Sequence, residues 1–151
     1  MNFISTNLRK YTFESPKIKE WVESRSEGKV LNLFAGRTKL NLNEVRNDID
    51  ISISADYHQD ALEFVNQCGK FDTVILDPPY AYRKAMEKYN GNYSSKFKQI
   101  ADRLPTISDR IISFGYHSSF MGEKREYKIE ELCVFGHGGA QHCTIGLVEI
   151  K

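Results

Sequence analysis

The sequence has few of the features that mark secreted, metal-binding or membrane-embedded chains. Its 3 cysteines, Cys68, Cys133 and Cys143, are odd in number and far apart, so they predict neither a disulfide framework nor a paired-cysteine zinc site. No apolar run approaches the ~20 residues of a membrane span, and the first residues lack the apolar core of a secretory signal. We therefore expect a cytoplasmic protein with reduced thiols and no membrane association.

The chain also lacks a strong charge imbalance and any internal repeat. Its 151 residues carry 21 lysines and arginines against 20 aspartates and glutamates, for a formal net charge of +1. Global electrostatics therefore do not indicate a nucleic-acid-binding protein. Because the length is that of one ordinary domain, we predict a single domain over residues 1–151.

The most informative feature that is present is a short apolar strand followed by two prolines. Residues 74–76 are typical of a buried parallel strand, and Pro78 and Pro79 end it. Asp77 and Tyr80 then lie at the carboxyl end of this strand, where open α/β sheets bind their ligands. The alternative is that the prolines only end a strand and Tyr80 is a surface aromatic residue.

These four residues suit the methylation of an exocyclic amine of a base. The lone pair of such an amine is delocalised into the ring, so a catalyst has to hold both N–H groups in a geometry that localises it. The Asp77 carboxylate and the Pro78 carbonyl can accept the two hydrogens, and the two consecutive prolines hold that carbonyl in place. Tyr80 supplies a flat face on which a base can stack.

A second apolar segment, residues 29–36, predicts a strand that runs into a glycine turn at Phe34, Ala35 and Gly36. A small residue followed by glycine lets a charged cofactor approach the backbone closely. Together with Asp-Pro-Pro-Tyr at residues 77–80, this segment resembles the amino-group methyltransferases of the Rossmann class that use S-adenosylmethionine, especially the adenine-N6 nucleic-acid methylases. The resemblance implies a reduced Rossmann-type α/β sheet, mostly parallel, with a C-terminal antiparallel hairpin.

The resemblance extends to the amino-terminal segment. Residues 11–16 look like the segment that packs over the methionine part of the cofactor, which places Phe13, Ser15 and Pro16 at the binding site. Ser15 is also a natural N-cap and Pro16 a natural first helical residue, so the start of a plain helix over residues 17–23 is nearly as good an interpretation.

Three acidic positions bear on cofactor binding. Asp48 lies near the end of a candidate second strand, residues 44–50, where the family places a carboxylate on the ribose hydroxyls, and Asp56 is a rival for that role. Asp60 and Ala61 resemble the family motif whose aspartate approaches the adenine amino group. Asp60 suits equally well as the N-cap of the helix predicted to follow it.

Departures from the family pattern leave alternatives open. Three larger polar residues, at 37–39, follow Gly36 where small residues are usual. Only 8 residues separate Gly36 from Val45, fewer than the dozen or so that a parallel crossover with a helix needs. Either the first crossover is reduced to a turn or residues 45–50 are not a strand. A fold compressed in this way is also compatible with lost cofactor binding.

A local excess of positive charge follows the Asp-Pro-Pro-Tyr motif. From residue 81 to residue 103 six cationic side chains stand against two acidic ones, and aromatic residues are interleaved with them. Such segments bind phosphate backbones and stack unpaired bases, which favours nucleic-acid contacts from Arg83, Lys84, Lys96 and Lys98. A solvated helical face is the alternative. Turn-forming residues at 88–94 are compatible with a mobile lid.

The remaining chain predicts the rest of the sheet. We expect a helix at residues 95–103, a strand at 110–114, and a hairpin whose strands cover 130–135 and 143–150. Its glycine-rich loop contains two histidines, which lack a third ligand and indicate a turn near substrate rather than a metal site: His137 and His142.

The combined prediction is an enzyme that uses S-adenosylmethionine to methylate an exocyclic amine in nucleic acid, with adenine N6 in DNA as the first candidate. In duplex DNA the base must also be flipped out. The catalytic sheet nearly uses up the 151 residues, so we expect no separate target-recognition domain and expect specificity to come from short loops, a homo-oligomer, a separate subunit or an already unpaired substrate. The runner-up is an RNA methyltransferase acting on guanine N2 or adenine N6. A catalytically silent subunit that binds nucleic acid or a partner is the alternative from another class.

Overall fold

The computed structural model describes residues 1–78, 92–115, 120–139 and 141–151, without the side chains of residues 92–96. Within these residues the strands are β1 (Asn2–Ser5), β2 (Val30–Asn32), β3 (Glu44–Arg46), β4 (Thr73–Leu76), β5 (Arg110–Gly115), β6 (Lys128–Gly136) and β7 (Thr144–Ile150). They form a seven-stranded sheet in the order β1-β6-β7-β5-β4-β2-β3. Every strand of this sheet is parallel except β7, which lies antiparallel between β5 and β6. The predicted fold class, with its closing hairpin, is confirmed.

Three described helices cover the sheet: α1 (Pro16–Arg25), α2 (Ala61–Gln67) and α3 (Asn92–Arg103). Helix α1 packs on one face, and α2 and α3 pack on the other. The predicted helices match in position, with α2 at the expected residues and the other two extended by a few residues at their ends. None of the described helices is long and apolar enough to cross a membrane.

Strand β4 shows why the sheet is apolar on both faces. Val74 and Leu76 pack in the core beneath α2 and α3, whereas Ile75 packs in the core beneath α1. Alternate residues of a strand point to opposite faces, so a central strand covered on both sides has to be apolar throughout. Each of these side chains is at most 1% exposed, and burial of one such side chain contributes about 1.5–3 kcal/mol.

The first crossover contains no helix. Strand β3 pairs in parallel with β2, with Leu31 opposite Val45, and residues 33–43 between the two strands form turns and bends. The prediction of a crossover reduced to a turn is therefore confirmed, and the alternative without a strand at Val45 is wrong. The strand ends at Arg46, earlier than the predicted residue 50.

A buried ion pair stabilises this turn, which has no crossover helix packed against it. Arg46 and Glu44 lie 3.0 Å apart, and each side chain is only 6% exposed. The Arg46 guanidinium also donates to the carbonyl groups of Gly36, Thr38 and Ser54. A planar guanidinium with five N–H groups can donate hydrogen bonds to several loop carbonyls at once. In a helix, those carbonyls would accept from backbone amides instead. Arg46 therefore fixes the glycine turn against strand β3.

Strand β1 is an element that the sequence analysis did not predict. It pairs in parallel with β6 at the far edge of the sheet. The Glu131 carboxylate stabilises this edge, since it accepts one hydrogen bond from Asn2 and a bidentate pair of hydrogen bonds from Arg25, at 2.7 and 2.9 Å. These hydrogen bonds, those from Arg25 first, hold the pKa of Glu131 below its ordinary value.

Tyr127 ties the start of β6 to the loop before β5. Its hydroxyl donates to the Ser108 carbonyl, and the residue is only 1% exposed. Burial, followed by the nearby charges of Asp109 and Glu149, raises the pKa of Tyr127 to about 12 from an ordinary value of 10.0. The phenol is therefore held in its neutral, hydrogen-bonded form.

Candidate active site

A cavity of about 570 Å³ opens at the carboxyl ends of β2, β3 and β4. Its size falls within the range of roughly 300–1,000 Å³ that small-molecule sites occupy. The segments that follow the three strands contribute Gly36, Asp48 and Asp77 to its wall. Parallel strands direct their carboxyl ends to one edge of the sheet, so residues far apart in sequence meet here.

The glycine turn and Asp48 are joined directly. Gly36 has φ +65°, a left-handed conformation that glycine adopts at little cost, and its amide donates to Asp48 Oδ2 at 2.9 Å. The other oxygen of Asp48 accepts from the Asp50 amide at 3.0 Å. A carboxylate offers about four acceptor positions, so Asp48 retains capacity for further donors. Phe34 and Ala35 of the same turn also line the cavity.

Asp56, the rival of Asp48, faces elsewhere. Its carboxylate accepts from the Arg46 amide at 2.8 Å, and the residue is not part of the cavity wall. The structure therefore brings only one of the two candidate ribose ligands, Asp48, to the cavity.

Asp60 has the predicted role of helix cap and also lies in the cavity wall. It caps helix α2, because one carboxylate oxygen accepts from the amides of Leu62 and Glu63 at 3.0 and 3.3 Å. It also lines the cavity together with Ala61. The cap thus positions a carboxylate in the wall of the cavity.

Asn47 is a structural residue of the site that the sequence analysis missed. It is 1% exposed, and its side-chain amide donates to the carbonyls of Leu33 and Gln59 and accepts from the Gln59 amide. These bonds fasten the end of β2 to the segment before α2. The available signal was a polar residue directly after a strand, which a single sequence does not distinguish from a surface position.

The amino-terminal segment lines the cavity and contacts the residue that follows β4. Thr12 Oγ1 donates to Asp77 Oδ1 at 3.1 Å. Phe13 is buried with its ring edge-on to Phe114, with the ring centroids 5.3 Å apart. This segment therefore both lines the cavity and orients Asp77.

Ser15 and Pro16 differ in their relation to the cavity. Ser15 caps α1, since its hydroxyl accepts from the Ile18 amide, and it also lines the cavity. Pro16 is exposed at the first position of α1 and lies outside the cavity wall. The plain helix-start interpretation therefore accounts for Pro16.

The predicted catalytic and nucleic-acid-binding residues are only partly described. Asp77 and Pro78 line the cavity, and Pro78 is buried. Lys98 is exposed on α3 and is not part of the cavity wall. The following predictions lie outside the described residues or side chains: Pro79, Tyr80, Arg83, Lys84 and Lys96, together with residues 88–91 of the suggested lid.

The β6–β7 hairpin contributes the opposite wall. His137 and Thr144 both line the cavity, and His137 Nε2 lies 2.8 Å from the Thr144 hydroxyl. Among the described residues, no group of three histidine, cysteine or acidic side chains is arranged to hold a metal ion. His137 and Asp77 thus line the same cavity.

No protein-family model and no curated protein matches this sequence. Solved structures do match its fold. The chain aligns over 91% of its length with TrmN from Thermus thermophilus, at a TM-score of 0.60 and 12% identity, and spans 49% of that protein. It aligns over 90% of its length with magnesium protoporphyrin IX methyltransferase (ChlM) from Synechocystis PCC 6803 with bound SAM, at a TM-score of 0.58 and 14% identity, and spans 77% of that chain.

The chain shares its fold with methyltransferases of known structure. A third solved structure, the Pyrococcus abyssi tRNA (uracil-54, C5)-methyltransferase in complex with S-adenosyl-L-homocysteine, aligns over 89% of the chain at a TM-score of 0.55 and 16% identity. The chain spans 37% of that enzyme and about half of TrmN. At these identities the likeness concerns the methyltransferase fold, and a porphyrin and a tRNA methylase share it.

Proposed function

We propose that this chain is a methyltransferase that binds S-adenosylmethionine and methylates an exocyclic amino group in nucleic acid, with adenine N6 in DNA as the first candidate. The observation that carries the proposal is the meeting of Asp77-Pro78 with the glycine turn and Asp48 in one cavity. When bound, the cofactor supplies an electrophilic methyl group on a sulfonium. The protein then has to position and polarise the amine.

The cavity fits this cofactor in shape and charge. Gly36 faces open space, since a Cβ atom added there would meet no atom within 4 Å, so a ligand can approach the turn closely. Asp48 has acceptor positions left for ribose hydroxyls, and Asp60 is proposed to meet the adenine amino group. Phe13 and Ser15 are proposed to pack beside the methionine part.

At the other end of the cavity, Asp77 and Pro78 are the proposed groups that hold the amine. The Asp77 carboxylate accepts one N–H and stabilises the positive charge that develops on nitrogen, and the Pro78 carbonyl accepts the other. Thr12 fixes the carboxylate through its 3.1 Å hydrogen bond. Pro79 and Tyr80 are proposed, from the sequence, to rigidify the carbonyl and to stack the base.

An amino group in RNA, guanine N2 or adenine N6, is the second candidate. The likeness in fold to a tRNA methyltransferase supports RNA as the substrate, and the amino group as the target atom is proposed from Asp77 and Pro78 alone, since that enzyme methylates a carbon. Cofactor binding distinguishes either enzyme from a silent subunit with the same fold, and the methylated nucleoside distinguishes the two enzymes from each other.

The first experiment measures cofactor binding by calorimetry. A buried polar partner left unpaired costs about 1–3 kcal/mol, so Asp48→Asn should weaken binding of S-adenosylmethionine by roughly tenfold or more. Asp56→Asn is the matched control, since it makes the same change outside the cavity and should leave the affinity within about twofold. A wild-type protein that binds neither S-adenosylmethionine nor S-adenosylhomocysteine refutes the enzyme proposal.

The second experiment measures transfer. Labelled S-adenosylmethionine is incubated with separate DNA and RNA pools, and the nucleosides are then identified. Asp77→Asn keeps the shape of the side chain and removes its charge, so it should lower the rate by about 100- to 1000-fold while cofactor affinity changes far less. Equal rates for the wild type and Asp77→Asn on a confirmed substrate would show that Asp77 takes no part in the chemistry.

A further inference from the structure

Three cationic side chains that the sequence analysis did not assign line the cavity at exposed positions. Arg9 and Lys10 come from the amino-terminal segment, and Arg37 follows the glycine turn. All three are exposed, and none forms a salt bridge within the residues that the structure describes. We call these three residues the cationic rim.

Tyr11 holds two members of the rim beside each other. The Arg37 guanidinium carbon lies 5.2 Å from the centroid of its ring, and Lys10 Nζ lies 5.5 Å from the same centroid. A ring face attracts cations, and such contacts contribute about 0.5–1 kcal/mol at exposed sites. Two cations from different segments of the chain are thus brought to one place, despite the repulsion between them.

The rim contrasts with the acidic interior of the cavity. Four carboxylates line the cavity; Asp48, Asp60 and Asp77 are partly buried, and Asp50 is exposed like the rim itself. The pKa of Asp50 is held below its ordinary value, first by hydrogen bonds from the Ser52 amide and hydroxyl and also by the charge of Arg37. Because Asp50 is exposed, solvent and salt screen its interaction with Arg37, and the rim remains a positive surface.

The charge pattern separates two kinds of ligand. S-adenosylmethionine carries one carboxylate together with a sulfonium and an ammonium group, so an acidic cavity suits it and three surrounding cations exceed its need. A chain of phosphodiesters presents successive negative charges, which is what a row of exposed lysine and arginine side chains binds. The rim therefore suits a polyanion of which a single uncharged base enters the cavity while the charged backbone stays outside.

We propose that the cationic rim of Arg9, Lys10 and Arg37 binds the phosphodiester backbone of the nucleic acid whose base enters the cavity. The inference rests on the proposed function of the same site and assigns its backbone contacts. Tyr11 acts as a positioning residue that keeps Lys10 and Arg37 together. DNA and RNA share the phosphodiester chemistry, so both are used as probes.

The test measures fluorescence anisotropy of labelled single-stranded DNA and of single-stranded RNA of the same sequence, across a series of salt concentrations and without transfer. The variant Arg9→Ala/Lys10→Ala/Arg37→Ala should flatten the dependence of log affinity on log salt by about 2, since each lost contact removes about 0.7 for single strands. Affinity at low salt should fall at least about tenfold for whichever nucleic acid is bound.

The matched control is Lys70→Ala/Lys124→Ala/Lys128→Ala, which removes three exposed cations near the amino ends of β4 and β6, at the edge of the sheet opposite the cavity. It carries the same change in net charge and should leave the salt slope unchanged. Tyr11→Ala should weaken binding by about 2- to 10-fold, and Tyr11→Phe, which keeps the ring, should bind as the wild type does.

The outcomes separate this inference from the proposed function. Wild-type binding that survives the triple substitution with its salt slope intact, or that falls equally in the control, overturns the inference and leaves the proposed function standing. Binding through the rim by a protein that transfers no methyl group overturns the proposed function alone. A wild type that binds neither nucleic acid overturns the inference, even where free nucleosides are methylated. Loss of S-adenosylmethionine affinity in the rim variant, without a change in salt slope, would assign the rim to the cofactor instead.

Discussion

Replacing Arg46 by methionine is the sharpest test of how the cavity is held open. The substitution keeps an unbranched side chain of similar length but removes the guanidinium that pairs with Glu44 and reaches the carbonyls of Gly36, Thr38 and Ser54. The ion pair is 6% exposed on either side, so solvent cannot replace the lost partner of Glu44. Removal of one member of such a buried pair costs about 3–5 kcal/mol.

The three loop carbonyls add little to this figure. They belong to residues that retain some exposure, so water can partly replace the lost donor. We therefore expect Arg46→Met to lower the free energy of unfolding by about 3–5 kcal/mol. Urea unfolding can be followed through the fluorescence of the 1 tryptophan, Trp21, which is 3% exposed on helix α1.

Two further variants show whether the ion pair is the cause. Arg103→Met makes the same change at an exposed position and should stay within about 0.5 kcal/mol of the wild type. Adding Glu44→Gln to Arg46→Met removes the stranded buried charge and should restore roughly 1–2 kcal/mol. Equal costs for the Arg46 and Arg103 variants, or no recovery in the double variant, would refute the view that this pair replaces a crossover helix.

Three other predictions concern the site and its support. Thr12→Val removes the hydroxyl that bonds Asp77, so it should lower the turnover number by about 10- to 100-fold and leave cofactor affinity unchanged. Thr12→Ser should restore the rate, and equal steady-state rates for Thr12→Val and the wild type would show that this bond does not position the carboxylate. The stability that Tyr127 contributes should be complete below pH 10 and should be lost as the pH rises through about 12, by roughly 2–3 kcal/mol; urea unfolding of Tyr127→Phe should lack this dependence. Gly36→Ala should cost about 1–2 kcal/mol for its positive φ, whereas Gly69→Ala, in equally open space without that φ, should be neutral or slightly stabilising in the same assay.

The parts of the fold that the sequence predicts are those whose local pattern agrees with their packing. Residues 74–76 are apolar on both faces because helices cover both sides of β4. Helix α2 begins and ends where Asp60 and the hydrophobic periodicity indicate. Strand β1 has no such pattern. It is four residues long, and Phe3 on it is 68% exposed. Its place in the sheet comes from pairing with β6, which no local signal reveals.

The candidate site shows the same division. The sequence places Gly36, Asp48 and Asp77 at strand ends, and the structure gathers them in one cavity. The contacts that hold them there are long-range: Thr12 reaches Asp77 across 65 positions. The charged pair Glu44 and Arg46 looks in sequence like a solvated surface, but the structure buries it against the turn that takes the place of a crossover helix.

The pairing of β1 with β6 has a consequence for how the protein comes to be assembled. Asn2 and Glu131, which bond across these strands, are separated by 129 positions along the chain. During synthesis the first strand therefore has no partner until almost all of the described sheet has emerged, and such distant contacts form late because loop closure has to precede them. The segment that carries Thr12 and Phe13 follows β1 directly, but its own partners, Asp77 and Phe114, precede β6 in the chain. This wall of the cavity can therefore form before the edge strand beside it is paired.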